Sequence, residues 1–257
     1  MNYSMENDVA IVTGGSRGIG RATAIQFATE GAAVVVADVA RAAGEETVDR
    51  IESTGGEAMF VETDVSEAAA VENMVSTAVD TYGGLDYTHN NAGIEIAGSL
   101  TEQPESEWDE VTDVNLKSVW LCLKHAVEAM VDDGGGSIVN TSSVSGLSGS
   151  GGAPYTASKH GAVGLTRSTA VEYGGSGIRV NAVCPGAIDT KMFRETVVEQ
   201  GEDLDFLDAE DELLAGYPMG RTGKPEEVAN AVVWLCSDEA SFVNGHPLAV
   251  DGGRMAR

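Results

Sequence analysis

DVAIVTGGSRGIGRATAIQFATEG, residues 8–31, places a strand, a glycine turn and a helix in immediate succession. Asp8-Val9-Ala10-Ile11-Val12-Thr13 is short and apolar enough for a buried strand, and the segment from Arg21 to Glu30 is helical and stops at Gly31. Between them, Gly14-Gly15-Ser16-Arg17-Gly18-Ile19-Gly20 makes a phosphate site. Glycines let the backbone approach an anion, and the helix start offers unpaired N–H groups at the positive end of its dipole. The spacing is GxxxGxG rather than the GxGxxG of the common dinucleotide fingerprint. Glycine turns are frequent, so the weight rests on the context, directly after a strand and opening a helix.

The same alternation continues to the end of the chain. Strand-like runs occur at Ala33–Ala37, Ala58–Val61, Leu85–His89, Ser137–Asn140, Ile178–Ala182 and Phe242–Val250. Helical runs fall at Glu45–Ser53, Ala68–Tyr82, Trp108–Met130, Tyr155–Glu172 and Pro225–Ser237, the last with proline at its start. This predicts an α/β fold, a doubly wound parallel sheet with helices on both faces and ligands at the C-terminal strand ends. No repeat or linker divides the chain, so residues 1–257 are expected to form one domain.

Polar residues gather at those strand ends. Asp38 closes the second strand, 18 residues beyond Gly20, near the spacing of an acid on the adenosine ribose. A carboxylate there accepts from both ribose hydroxyls of NAD and repels the 2′-phosphate of NADP. Arg17 argues the other way, since it could pair with that phosphate. Val39 and Ala40, not bases, follow Asp38, so NAD is favoured; the plain alternative is an aspartate that caps the next helix. Asp64, followed by Val65, ends the third strand and could bond the adenine amine. The fourth ends in a polar, glycine-closed turn, Asn90-Asn91-Ala92-Gly93. Asn115 falls within a long helix, where a buried asparagine calls for a structural partner or a water. The sixth strand runs on into Pro185 and Gly186.

SVSGLSGSGGAPYTASK, residues 143–159, carries the reactive groups. Tyr155 and Lys159 are four apart and share one face of a helix. A nearby cation favours phenolate, so Tyr155 is expected to ionise more easily than a free tyrosine and to act as general acid or base. Ser143 follows a strand, and its hydroxyl can reach the same substrate oxygen. A bare YxxxK is usually an ordinary surface pair. Here every motif lies at a strand end or on the helix after it.

Composition narrows the classes. The chain has 41 acidic residues against 15 basic, only five of them lysine, for a net charge of −26. Such a field repels nucleic acid and anionic membranes. The acids are spread along the chain, which points to adaptation to molar salt, where the Debye length is about 3 Å; the simpler reading is an acidic mesophilic protein. Cys122, Cys184 and Cys236 are far apart and read as core residues of a reducing compartment. With no apparent signal peptide or membrane span, a cytoplasmic enzyme is expected. The four histidines are scattered, so no metal site is expected. From Ala187 to Arg221 the chain is irregular and reads as a lid, with a short helix over Asp208–Ala215. Seven of the twelve residues from Gly201 to Glu212 are acidic. Met192, Phe193, Phe206 and Leu207 are its candidates for pocket walls, and Glu95, after the asparagine turn, could touch a hydroxylated substrate.

TGGSRGIG (13–20), NNAG (90–93), Asn115 within DVNLKSVW, SSVSG (142–146), YTASK (155–159) and PGAIDT (185–190) together resemble the short-chain dehydrogenases/reductases, in that family's order. The resemblance covers about residues 6 to 253. It implies a Rossmann-type fold and hydride transfer between nicotinamide and a carbonyl or alcohol carbon. Carried over by position, the catalytic set is Asn115, Ser143, Tyr155 and Lys159. Tyr155 would exchange the proton with the substrate oxygen, and Ser143 would hydrogen-bond that oxygen. Lys159 would lower the tyrosine pKa and hold the nicotinamide ribose, and Asn115 would hold a water linking Lys159 to solvent. The Ser-to-Tyr spacing of 12 is one shorter than in many members, which keeps Ser142 open beside Ser143. The Ile188 backbone and Thr190 resemble the positions that hold the nicotinamide carboxamide. A homotetramer or dimer is implied, with the Asn115 and Tyr155 helices packing between subunits and Gly161 and Gly164 allowing close approach.

Three functions follow. The first is an NAD-dependent dehydrogenase of a secondary alcohol, cyclic ketone, polyol or sugar. The second, an NADPH-dependent 3-oxoacyl thioester reductase, would need a basic docking face, against which Asp38 and the charge argue. The third, a catalytically silent dinucleotide binder, would have lost Ser, Tyr or Lys, and all three are present.

Overall fold

In the computed structural model, residues 3–200 and 214–256 are described, the side chains of 196–200 excepted. Strand β1, Val9–Thr13, is buried along its whole length, as a central strand covered on both faces must be. A glycine turn leads into α1 (Gly18–Thr29), followed by β2 (Ala33–Asp38), α2 (Arg41–Glu52), β3 (Ala58–Glu62), α3 (Ala68–Tyr82) and β4 (Tyr87–Asn90). The second half holds α4 (Glu105–Thr112), α5 (Ser118–Asp133), β5 (Gly136–Thr141), α6 (Ala153–Tyr173), β6 (Ile178–Pro185), α7 (Lys191–Gln200), α8 (Pro225–Cys236) and β7 (Pro247–Val250).

The seven strands lie in the order β3-β2-β1-β4-β5-β6-β7, and every neighbouring pair is parallel. After β3 the chain returns to the other side of β1, so the order reverses between β1 and β4. Loops leaving those two strands diverge there and open a crevice at their C-terminal ends. Two apolar layers enclose the sheet. Val71, Met74, Leu121, Val127 and Met130 of α3 and α5 fill one side. Phe27, Ile51, Val228 and Val232 of α1, α2 and α8 fill the other, where Phe27 stacks on Tyr87 at 5.7 Å. All three cysteines are buried and free.

Two expectations change. The helix expected over Trp108–Met130 is broken by a π-helical turn, Asp113–Lys117, between α4 and α5. The extra residue in that turn aims the Asn115 side chain back at the loop after β4. The last strand is shorter than Phe242–Val250, because Phe242 is fully exposed and pairing with β6 spans Pro247–Val250. Gly161 also makes a close contact inside the chain: a Cβ there would lie 2.6 Å from Leu116 Cδ1. At Gly164 that position meets nothing within 4 Å. The acidic stretch Gly201–Glu212, Phe206, Leu207 and most of the helix expected at Asp208–Ala215 lie outside the described residues.

Candidate active site

The glycine turn forms one wall. Gly14 and Gly18 have φ of +63° and +53°, a conformation costly to residues with a Cβ. Arg17, the residue before α1, makes no side-chain cap, so the first-turn N–H groups of α1 face outward without one. Asp38 braces this wall. Its Oδ2 accepts from the Ser16 N–H at 3.1 Å and its Oδ1 from the Ala40 N–H at 2.9 Å. The aspartate therefore positions both the glycine turn and the start of α2, and each oxygen keeps a lone pair for a ribose hydroxyl. Asp64 is exposed and its Oδ1 is engaged by Ser66, while Val65 is buried.

The asparagine turn supplies the next wall. Asn91 donates from Nδ2 to the carbonyls of Thr13 at 3.1 Å and Gly14 at 3.4 Å. The Thr13 hydroxyl accepts the Asn91 and Ala92 N–H groups. Asn115, fully buried, holds Ile94 by both backbone groups at 2.8 Å and reaches Ser158 at 3.4 Å. Gly93 and Glu95 flank Ile94, and the Glu95 charge acts on both Tyr155 and Lys159.

Ser143, Tyr155 and Lys159 converge at the ends of β5 and α6. Lys159 is buried, donates to the Thr141 carbonyl at 3.1 Å, and stands 5.4 Å from the Tyr155 ring centre. The Ser143 hydroxyl accepts the Ser145 N–H at 3.1 Å and lies near enough to the Tyr155 phenol to lower its pKa, whereas the Ser142 hydroxyl donates to the Lys159 carbonyl at 2.9 Å. Ser142 is thus tied to the α6 backbone, which leaves Ser143 as the serine beside the phenol. The expected acidity of Tyr155 is opposed by its surroundings. Desolvation of the half-buried phenol pushes its pKa up, the Glu95 carboxylate adds to that, and Ser143 pulls the other way. Lys159 is itself pushed down to about 8 by burial, with Glu95 pulling the other way. The cation that was to acidify Tyr155 is thus easily lost.

The segment after β6 closes the arrangement. Ala187 and Asp189 bridge to Gly223, which leaves the N–H and C=O of the intervening Ile188 facing the opposite side. Thr190 accepts from the Phe193 N–H at 3.2 Å and so starts α7. Gly186, after Pro185, pairs with Val250, and the Ala187 N–H donates to the Tyr217 hydroxyl at 3.1 Å. Sequence reading missed Tyr217 and Gly223 because neither belongs to a motif; only the fold brings them to Ala187. Phe193 is half-buried and Met192 is exposed. A cleft of about 650 Å3 runs between the glycine turn and α7, lined by Arg17, Gly18, Arg21, Thr190 and Arg194 among others. Arg17 faces this cleft, whose lining does not include Asp38.

These groups fit a nicotinamide dinucleotide. The glycine turn and α1 start suit its pyrophosphate, Asp38 its adenosine ribose, Ile188 its carboxamide, and Lys159 its second ribose. Among the described residues, no cluster of His, Cys, Asp and Glu could hold a metal, and no helix is long and apolar enough to cross a membrane.

The family model described as enoyl-(acyl carrier protein) reductase matches residues 14–254. The chain is 40% identical over 250 residues to the BbsD subunit of (2S)-[(R)-hydroxy(phenyl)methyl]succinyl-CoA dehydrogenase from Thauera aromatica, covering 97% of each chain. To cyclohexanol dehydrogenase from an Acinetobacter species it is 41% identical over 262 residues, covering 100% of this chain and 98% of the relative. A 3-oxoacyl-[acyl-carrier-protein] reductase of Thermotoga maritima is 39% identical over 250 residues, covering 97% and 98%. The crystal structure of levodione reductase superposes with a TM-score of 0.95 at 38% identity, covering 98% of both chains. Relatives along the whole length, a shared seven-stranded sheet and the Ser143–Tyr155–Lys159 grouping lead to one conclusion: this chain is an oxidoreductase of the short-chain dehydrogenase/reductase family.

Proposed function

We propose that the protein is an NAD-linked dehydrogenase acting on a secondary alcohol or the corresponding ketone, of the cyclic, polyol or sugar class. The observation that carries this reading is the meeting of Ser143, Tyr155 and Lys159 beside the Gly14–Asn91 wall. Relatives that act on cyclohexanol and levodione support the substrate class.

Nicotinamide, when bound, takes or gives the hydride. The protein handles the proton. In the reducing direction Tyr155, kept protonated by burial, donates its phenolic proton to the carbonyl oxygen, which Ser143 also holds. In oxidation Tyr155 must first lose that proton, so oxidation should gain with rising pH while reduction persists at neutral pH. Lys159, charged below about pH 8, steadies the phenolate in that range. Asn115 anchors the Ile94 loop against α6 and so fixes the distance between Glu95 and the Tyr155–Lys159 pair. Glu95 disfavours anionic groups near the reacting carbon and accepts from a substrate hydroxyl.

Asp38 supports NAD over NADP, since its carboxylate is held at the end of β2 while Arg17 faces the α7 cleft. A panel of ketones, polyols and sugars, assayed by absorbance with NAD(H) and NADP(H) in high salt, tests both assignments. Preference for a 3-oxoacyl thioester with NADPH would overturn them.

The assembly is a homotetramer in this reading. Trp108 and Trp120 are exposed on α4 and α5 at 44% and 51%, and Val171 on α6 at 87%, a large apolar area for a free surface. The stretch 187–221, of which 201–213 lie outside the described residues, is the lid in this reading, and the setting is a salt-rich cytoplasm. With 41 acids against 15 bases, subunit contacts should loosen as salt falls from about 3 M to 0.1 M, where the Debye length grows to about 10 Å. Activity should therefore decline before circular dichroism changes; full activity and an intact tetramer at the low end would contradict this.

A further inference from the structure

His89, on β4, is fully buried and belongs to no motif that explained the site. Its Nε2 lies 2.8 Å from the Thr141 hydroxyl. The protons along this path are determined by its far end. Asn91 donates from Nδ2 to two backbone carbonyls, Thr13 and Gly14, so its Oδ1 faces the Thr141 hydroxyl at 3.3 Å. Thr141 has a single proton, and Asn91 Oδ1 can only accept it. Thr141 must therefore accept from His89, which places the imidazole proton on Nε2. Nδ1 is then a bare acceptor, and it is buried with no partner among the described residues. The neighbouring Thr88 hydroxyl, also buried and unpartnered, points to the other face of the sheet and cannot supply one.

We propose that His89 is a positioning residue for the cofactor site: a permanently neutral Nε2–H donor that holds Thr141, and through it the Asn91 carboxamide, against the glycine turn. Thr141 is the branch point. Its hydroxyl orients Asn91, and its carbonyl receives Lys159 Nζ at 3.1 Å. That donor thus sets the wall for the dinucleotide, on the residue whose strand carbonyl also seats the lysine. Neutrality is necessary, because a second imidazole proton would have no acceptor at Nδ1. Burial agrees, pushing the His89 pKa down to about 3.

This rests on the dinucleotide reading of the site, so NADH and NADPH titrations of the wild type come first. If neither binds, that reading fails, independently of His89. If one binds, the same titration compares variants. Loss of the donor in His89→Leu should weaken binding about tenfold, the scale of one buried hydrogen bond, while kcat at saturating cofactor changes less. Gln carries an amide donor near the Nε2 position and Asn near Nδ1, so His89→Gln should restore affinity and His89→Asn should not. Equal affinity of the wild type and His89→Leu, or of the Gln and Asn variants, would overturn the proposal. Nitrogen NMR of histidine-labelled wild type needs no variant to fold: it should show one neutral imidazole protonated at Nε2 from pH 5 to 9. A proton on Nδ1, or titration in that range, would equally overturn it.

Discussion

The two sides of the site are built differently. The floor, made by Asn115, Thr141, Ser143 and Lys159, is buried, and its polar groups are tied to backbone or to one another. The α7 side is a surface: Lys191 and Arg194 are exposed and pair with equally exposed carboxylates, Glu195 and Asp189. Exposed pairs contribute little to stability and cost little to exchange. A buried network tolerates few changes, because each lost partner leaves a desolvated group behind. The contrast assigns proton chemistry to the floor and substrate choice to the α7 side, where a change can be accepted without unfolding the protein.

Breaking the floor should have the largest effect. Tyr155→Phe removes the proton donor and should lower kcat by at least about 100-fold, with NADH binding nearly intact by fluorescence titration. A variant keeping more than about a tenth of kcat would show that another group moves the proton.

Lys159→Met tests the floor's electrostatics and should separate activity from stability. The folded-state pKa of about 8 lies below the ordinary 10.5, so the folded protein holds fewer protons than the unfolded chain between those values. Stability therefore rises with pH across that window, and below about 8 the buried ammonium costs the fold about 3 kcal/mol. Methionine removes that cost and loses one hydrogen bond worth about 1 kcal/mol. The variant should be inactive and about 2 kcal/mol more stable at pH 7 by urea unfolding, with the gain disappearing above pH 10.5. A less stable variant at pH 7 would show that Lys159 is better solvated than its burial implies.

At the rim between the two sides, Asp38→Ala should narrow the ratio of kcat/KM for NAD over NADP by about tenfold, the scale of one unfavourable charge contact. Loss of its bonds to Ser16 and Ala40 should also loosen the turn and raise KM for both cofactors. The smallest effect belongs to the α7 side. Phe193→Ala should shift substrate KM by about three- to tenfold, with stability changed by less than about 1 kcal/mol. A kcat loss as large as that of Tyr155→Phe would erase the contrast.

Local sequence carried much of this architecture. Periodicity located the buried strands, since a central parallel strand must be apolar on both faces. Glycine spacing located the turn at Gly14–Gly20, since φ near +60° excludes most other residues. The four-residue spacing of Tyr155 and Lys159 put them on one helix face. What local sequence could not contain was the outcome of competition among distant groups. The acidity of Tyr155 depends on burial and on Glu95, 60 residues away, neither of which its spacing from Lys159 reveals. The aim of Asn115 from its π-turn is fixed at Ile94, 21 residues earlier, whose backbone its carboxamide bonds. The choice of Ser143 over Ser142 depends on where the carbonyl of Lys159 lies. The role of His89 passes through Thr141, 52 residues on. Sequence by itself determined the strands, turns and helix faces, because those follow from each residue's own backbone and from neighbours within one turn. Tertiary structure alone decided protonation, side-chain aim and which of two serines meets the phenol, because desolvation and hydrogen bonding are set by whatever the fold packs alongside.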